Sequence, residues 1–120
     1  TRFTAFHSQD GHDEITLTAP IVCVTHDGEG ELHARDFGLP QVSAEQITGG
    51  GTIEESARLV LNILEGRGTE AQEAVVSANA ALAMLTHEGR GALPDYVARA
   101  REVIRNGKAL EVLKRSIELI

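Results

Sequence analysis

Residues 6–20 have the sequence FHSQDGHDEITLTAP, and this stretch decides how the rest of the chain is interpreted. It holds two histidines and three acidic side chains around Gly11. It lies between two strand-like segments, and α/β proteins commonly place ligands at the ends of strands. Magnesium sites typically use one or two carboxylates together with phosphate and water. The stretch is therefore a candidate site for a hard cation such as magnesium or calcium.

The same stretch has less specific explanations. A solvated acidic turn has this composition without any ligand. Asp13 and Glu14 would point to opposite faces of a regular strand, so one shared site needs a loop, a bridging water or a second metal. The spacing excludes an EF-hand loop, and a zinc site needs more soft ligands. A triad of Ser8, His7 and Asp10 would rest on adjacency, whereas catalytic triads converge from separate elements.

Outside this stretch the chain divides into two parts. Residues 1–36 have the pattern of strands and turns, and residues 44–120 have that of helices. The apolar and polar pattern predicts four short strands and one hairpin loop: strands at 2–7, 15–18, 21–24 and 31–35, and the loop at 26–30. Such a sheet is thin and leaves exposed edges. The chain is thus predicted to be a mixed α/β piece with strands first and helices after them.

The helical part is predicted to contain four to five helices. Thr52 with Glu55, and Thr69 with Gln72, have the pattern of capping boxes at helix starts. The helix that follows Thr69 is apolar nearly all round, which predicts a buried helix. A glycine run at 49–51 precedes Thr52, and glycine loops before helices can bind phosphate. This run lacks the Lys-Ser/Thr of a P-loop, so a structural loop with a helix cap is predicted.

Composition limits the kinds of partner. The net charge is −7, from 11 basic and 18 acidic side chains, which argues against nucleic acid and against anionic membranes. Cys23 is the only cysteine and lies in an apolar run, so a buried structural thiol is expected. No signal peptide or membrane-spanning stretch is visible, and a cytoplasmic location is expected. The chain starts at Thr1 on a strand-like segment and without methionine, so an upstream part is expected to have been removed.

The stretch from Phe6 to Pro20 resembles the anthranilate phosphoribosyltransferase signature Val-His-Gly-x-Asp-Gly-Leu-Asp-Glu-Ile-Ser-Leu-Thr-Gly-Pro. His12 is the main departure, because the family usually has leucine there. Segments similar to the family's own follow in order along the rest of the chain: residues 36–39, 49–50 with 54–57, 77–82, 98–102 and 107–110. The resemblance covers essentially the whole chain and is most specific in the first twenty residues.

The resemblance implies a fold, an activity and a metal. Residues 1–120 would be the C-terminal part of a nucleoside phosphorylase/phosphoribosyltransferase-like catalytic domain, with the metal-site loop in 1–36. The family transfers phosphoribose from phosphoribosyl pyrophosphate to anthranilate and releases pyrophosphate, in tryptophan biosynthesis. Its adjacent Asp-Glu pair ligates Mg²⁺, which carries over to Asp13 and Glu14. Asp10 and Gly11 also match the motif, and we assign them to shaping the turn.

The resemblance also implies what this chain lacks. The family's Gly-Thr-Gly-Gly-Asp phosphate loop and its other substrate-binding segments have no counterpart here and are expected upstream of Thr1. The 120-residue chain alone is therefore expected to be inactive, and the full enzyme is expected to dimerise through its N-terminal region. Two alternatives stay open: a related pyrimidine nucleoside phosphorylase-like enzyme, and a non-catalytic packing or interaction module.

Overall fold

The computed structural model describes all of residues 1–120 and begins with a small antiparallel sheet. The strands lie side by side in the order β1-β2-β3. Their bounds are Thr4–Ser8 for β1, Ile21–Thr25 for β2 and Gly28–Leu32 for β3. Thr25 pairs with Gly28, so the predicted hairpin is confirmed and its turn contains only His26 and Asp27. Both outer strands leave one edge without a strand partner, as expected for so thin a sheet.

Four α-helices follow the sheet, after two short 3₁₀ turns at Ala34–Phe37 and Ala44–Ile47. The helices are α1 at Ile53–Leu64, α2 at Glu70–Glu88, α3 at Leu93–Arg105 and α4 at Lys108–Glu118. The predicted α/β class, with strands first and helices after, is confirmed. None of these helices combines the length and the hydrophobicity needed to span a bilayer.

Helix α2 lies at the centre of the core. Its buried residues are mostly small: Ala71, Ala74, Ser77, Ala78, Ala81 and Leu82. Small side chains allow neighbouring elements to approach closely, and α2 shares one buried cluster with the sheet residues Ile21 and Cys23 and with Tyr96 and Val97 of α3. Burial raises the pKa of the Cys23 thiol, consistent with the expected structural role. The prediction of a buried second helix is confirmed.

Helices α1 and α4 are packed quite differently. Neither has a buried residue, although both carry an apolar stripe. Ile53 of α1 is 86% exposed, and Val112 and Ile117 of α4 are each 59% exposed. The apolar side chains that the sequence places on one face of α1 are thus left largely in contact with solvent.

The strand predicted at residues 15–18 is wrong. Leu17 has a φ of 61°, a left-handed conformation that no β-strand accommodates. The backbone N–H of Val42 donates to the Leu17 carbonyl at 2.9 Å, so this segment bonds to a loop and not to a neighbouring strand. Ile15, Thr16 and Leu17 are all buried, at 0%, 6% and 1% exposure, so the alternating pattern that suggested a strand does not reflect alternate burial.

The strand predicted at residues 31–35 is only partly correct. Strand β3 already begins at Gly28 and ends at Leu32, and residues from Ala34 onward turn into a 3₁₀ helix. The Asp36 carboxylate accepts a hydrogen bond from the His33 backbone N–H at 2.7 Å. This side-chain bond offers the backbone an alternative to the sheet, as short polar side chains commonly do.

Candidate metal centre in the turn after the first strand

The acidic stretch folds as a compact turn at the end of β1. The Ser8 N–H donates to the His12 carbonyl at 2.9 Å, and the Gly11 N–H donates to the Ser8 carbonyl at 3.0 Å. Gly11 has a φ of 97°, a backbone conformation that glycine adopts without steric cost. The Gln9 N–H donates to the Pro20 carbonyl at 2.9 Å, so the end of the segment at Pro20 is held next to the end of β1. Asp13 and Glu14 lie in the irregular backbone of this loop, which removes the geometric objection raised for a regular strand.

Asp10 is bound within the turn on both of its carboxylate oxygens. The Thr18 hydroxyl donates to Oδ2, and His12 Nδ1 lies 3.0 Å from Oδ1. The Thr18 hydroxyl also lies 2.7 Å from that of Thr16, which in turn lies 3.4 Å from the fully buried Ser8 hydroxyl. Hydrogen bonds from Thr18, then from His12 and Ser8, hold the pKa of Asp10 well below its usual range. Asp10 thus joins the two sides of the turn.

Asp13 and Glu14 are the opposite case. Both are exposed, and neither side chain takes part in a hydrogen bond or ion pair within the chain, whereas neighbouring Asp10 and His12 do. Two adjacent carboxylates are therefore fully available to a ligand. The turn presents them outward while using its other polar groups to maintain its own shape.

The backbone next to this pair is held by a residue from a distant part of the chain. The Ile15 N–H donates to Oδ1 of Asn79 at 3.1 Å, and Nδ2 of Asn79 donates to the Ile15 carbonyl at 2.8 Å. Asn79 belongs to α2, so the central helix contacts the turn directly after Glu14. The Ile15 side chain is fully buried and anchors the same point from its other side.

The donor set fits a magnesium ion that shares its coordination with another ligand. Nowhere in the chain do three or more His, Cys, Asp or Glu side chains converge in a way that could hold a metal ion. Asp13 and Glu14 supply two hard oxygen donors and leave the remaining positions open. That is the usual pattern for Mg²⁺, which keeps several waters and takes phosphate oxygens from a substrate. A structural zinc site uses four His, Cys or carboxylate ligands, and no such set converges in this chain.

The glycine run at 49–51 has the structure of a helix cap. The Thr52 hydroxyl accepts from the Glu55 N–H at 3.1 Å. The Glu55 carboxylate accepts from the Gly51 N–H at 2.7 Å, whereas a complete capping box would return that bond to Thr52. A carboxylate of the chain itself thus occupies an N–H that a phosphate would need. The predicted structural loop is confirmed, and the predicted capping box of Thr52 with Glu55 is only half formed.

Comparison with known proteins agrees with this architecture. The family model described as "Glycosyl transferase family, a/b domain" matches residues 1–110. The chain belongs to this glycosyl transferase family. The anthranilate phosphoribosyltransferase of Flavobacterium psychrophilum is 43% identical to this chain over 119 residues. The aligned region covers 99% of this chain and 36% of that protein. The resemblance noted in the sequence is thereby confirmed.

Solved structures of other proteins have the same fold as this chain. Anthranilate phosphoribosyltransferase from Thermus thermophilus has a TM-score of 0.84 and 29% identity, over 96% of this chain and 34% of that one. The Saccharomyces cerevisiae enzyme, solved in complex with PRPP and Mg, has a TM-score of 0.81 and 19% identity, over 94% of this chain and 32% of that one. The chain thus spans about a third of the length of the relatives it matches.

Sequence reasoning found the acidic cluster but missed the groups that shape it. The hydroxyls of Ser8, Thr16 and Thr18 and the amide of Asn79 were not singled out as part of the site. One signal was present for Asn79, because it is a carboxamide in the middle of α2, flanked directly by Ala78 and Ala80. A polar group in such a place needs a hydrogen-bond partner, although the sequence does not say which one.

Proposed function

We propose that this chain is the C-terminal part of an anthranilate phosphoribosyltransferase, in which Asp13 and Glu14 hold Mg²⁺. The observation that carries the proposal is the pair of unpartnered carboxylates on a turn that is otherwise stabilised by side-chain hydrogen bonds of Asp10, His12 and Thr18. The names of the relatives supply the reaction, which is transfer of phosphoribose from phosphoribosyl pyrophosphate to anthranilate with release of pyrophosphate.

The residues of this chain would act by positioning and by charge. Mg²⁺, when bound, neutralises charge that develops on the departing diphosphate. Asp13 and Glu14 would hold the ion beside the diphosphate, and Asp10 and Gly11 would keep the turn in the shape that presents them. The yeast enzyme solved with PRPP and Mg supports magnesium as the ion. Homodimerisation of the full enzyme and a cytoplasmic location stay predictions.

The chain by itself is proposed to be inactive. A diphosphate needs cations and backbone amides around it, and a chain of net charge −7 with its free carboxylates at the site does not supply them. A second description, a non-catalytic packing module, finds support in α1 and α4, whose apolar residues are exposed. It applies to the isolated 120-residue chain and is compatible with a catalytic role in a longer protein.

An assay of a full-length protein containing this chain tests the proposal. Anthranilate should be consumed and pyrophosphate released when both substrates and Mg²⁺ are present, and nucleosides with phosphate should not react. Phosphorolysis of a pyrimidine nucleoside, without consumption of anthranilate, would refute the proposal that anthranilate is the acceptor. Calorimetry on the 120-residue chain should show no tight Mg²⁺ binding without a diphosphate ligand, and the chain should consume no anthranilate.

A further inference from the structure

We infer that Asn79 is a positioning residue for the Asp13–Glu14 pair, and that its carboxamide fixes the orientation in which Glu14 meets the cation. The inference rests on the proposed magnesium site and adds to it a residue 64 positions away along the chain. Asn79 touches neither substrate nor metal in this view. It acts only through the backbone of Ile15.

The bonding of Ile15 makes this residue dependent on Asn79. The backbone N–H and C=O of Ile15 belong to no strand or helix, and both are bonded to the one carboxamide, at 3.1 and 2.8 Å. An amide group presents one acceptor and two donors, so it can pair with a peptide as a neighbouring strand would. The second Nδ2 hydrogen is directed to the carbonyl of Val75 at 2.8 Å, which ties the side chain to its own helix.

Peptide planarity carries this constraint to Glu14. The Ile15 N–H lies in the same rigid plane as the Glu14 carbonyl and the Glu14 Cα. On the other side of the pair, the His12 carbonyl accepts from the Ser8 N–H at 2.9 Å, and that carbonyl shares a plane with the Asp13 Cα. Asp13 and Glu14 are therefore bracketed by two fixed peptide planes, one attached to β1 and the other to α2. Only the peptide that joins them is left without such a bond.

The two brackets differ in what they depend on. The bond at His12 forms between backbone groups within the turn, so no single side chain supplies either of its partners. The bond at Ile15 depends on one side chain from α2, so a single substitution removes it. Partners that orient a metal ligand from outside its first shell typically contribute about 10–100-fold in metal affinity or activity. Loss of Asn79 should therefore weaken the cation site while leaving both carboxylates in place.

The test uses Asn79→Ala and Asn79→Ser in a full-length protein containing this chain. Serine can bond the carbonyl four residues back in its own helix, as Thr86 does with Leu82 at 2.8 Å, but it is too short to reach Ile15. It therefore keeps a partner for the Val75 carbonyl, which Asn79 bonds now, and removes the bonds to Ile15. Ser77→Ala is the matched control, because Ser77 is a fully buried residue of the same helix whose hydroxyl has no partner.

Two measurements decide the inference. The Mg²⁺ concentration at half-maximal rate should rise about tenfold or more in both Asn79 variants, with the rate recovering at high Mg²⁺, and should stay unchanged in Ser77→Ala. Hydrogen exchange at the Ile15 amide, which needs no activity, should become faster in the Asn79 variants. An unchanged Mg²⁺ requirement or an unchanged Ile15 exchange rate in folded variants would overturn the inference.

Parallel variants separate this inference from the proposed site. If Asp13→Asn raises the Mg²⁺ requirement and Asn79→Ser does not, the positioning role is wrong and the metal site stands. If neither Asp13→Asn nor Glu14→Gln changes the requirement, the metal site is wrong and the inference falls with it.

Discussion

Two loops of this chain have the composition of a ligand site, and the structure treats them in opposite ways. The acidic turn after β1 uses Asp10 and three hydroxyls to maintain its shape and leaves Asp13 and Glu14 without a protein partner. The glycine loop before α1 uses the Glu55 carboxylate to occupy the Gly51 N–H. Two loops of similar promise in the sequence therefore differ in unused bonding capacity, which is the ground for proposing a site at the acidic turn and a structural role for the glycine loop.

Neutralising both Asp13 and Glu14 should have the largest effect, and that effect should be on catalysis. Asp13→Asn combined with Glu14→Gln should lower kcat/KM by about 100-fold or more, because both charged donors to the cation are lost. The melting temperature should change by only about 2 °C, since exposed side chains without partners contribute little stability. Steady-state kinetics and thermal unfolding of a full-length protein measure both quantities. A large fall in melting temperature would show that the pair is structural. The acidic turn and the glycine loop would then no longer differ in role.

A smaller effect, on stability alone, is expected in the glycine loop. A Cβ at Gly50 would lie 2.5 Å from the Ser56 backbone N, so Gly50→Ala must displace the loop or the first turn of α1. We expect a loss of about 1–3 kcal/mol in the free energy of unfolding and no change in the Mg²⁺ requirement. Gly49→Ala is the matched control, because a Cβ there meets nothing within 4 Å. A raised Mg²⁺ requirement in Gly50→Ala would mean that this loop also serves the site.

The smallest effect is a pH dependence that originates in Asp10. Hydrogen bonds from Thr18, His12 and Ser8 lower the pKa of Asp10 in the folded state. A lowered folded-state pKa gives stability that is fully present above the unfolded value, about 3.9 for aspartate, and that is lost as pH falls towards the folded value. The stability difference between the wild type and Asp10→Asn should therefore be fully present above about pH 4 and shrink below it.

Denaturant unfolding of both proteins across this pH range measures that difference. A gap that stays constant down to the lowest pH at which both proteins fold would contradict the role given to Asp10. A gap that widens as the pH falls below about 4 would mean that the protonated form of Asp10, and not the ionised form, stabilises the turn.

Much of the fold follows from local sequence signals. Thr69 and Gln72 form the predicted capping box at the start of α2, and Pro94 lies in the first turn of α3, a position that suits proline. These features depend on neighbours within one helical turn. The segment from Ile15 to Thr18 was predicted wrongly because its alternation of apolar and polar residues does not correspond to alternate burial, since Thr16 is buried as well. Ile15 and Leu17 are buried by an irregular chain whose backbone bonds to Asn79 and Val42.

Sequence patterns were enough to predict the order of strands and helices, the buried character of α2 and two adjacent carboxylates between strand-like segments. These properties are local, since periodicity, caps and composition act over a few residues. The tertiary structure alone decided that Asp10 is bound and that Asp13 and Glu14 are free. It also decided that α2 holds the turn through Asn79. A hydrogen bond needs two groups in contact, and the bonded residues Ile15 and Asn79 are 64 positions apart in the chain. No local sequence pattern connects residues at that separation.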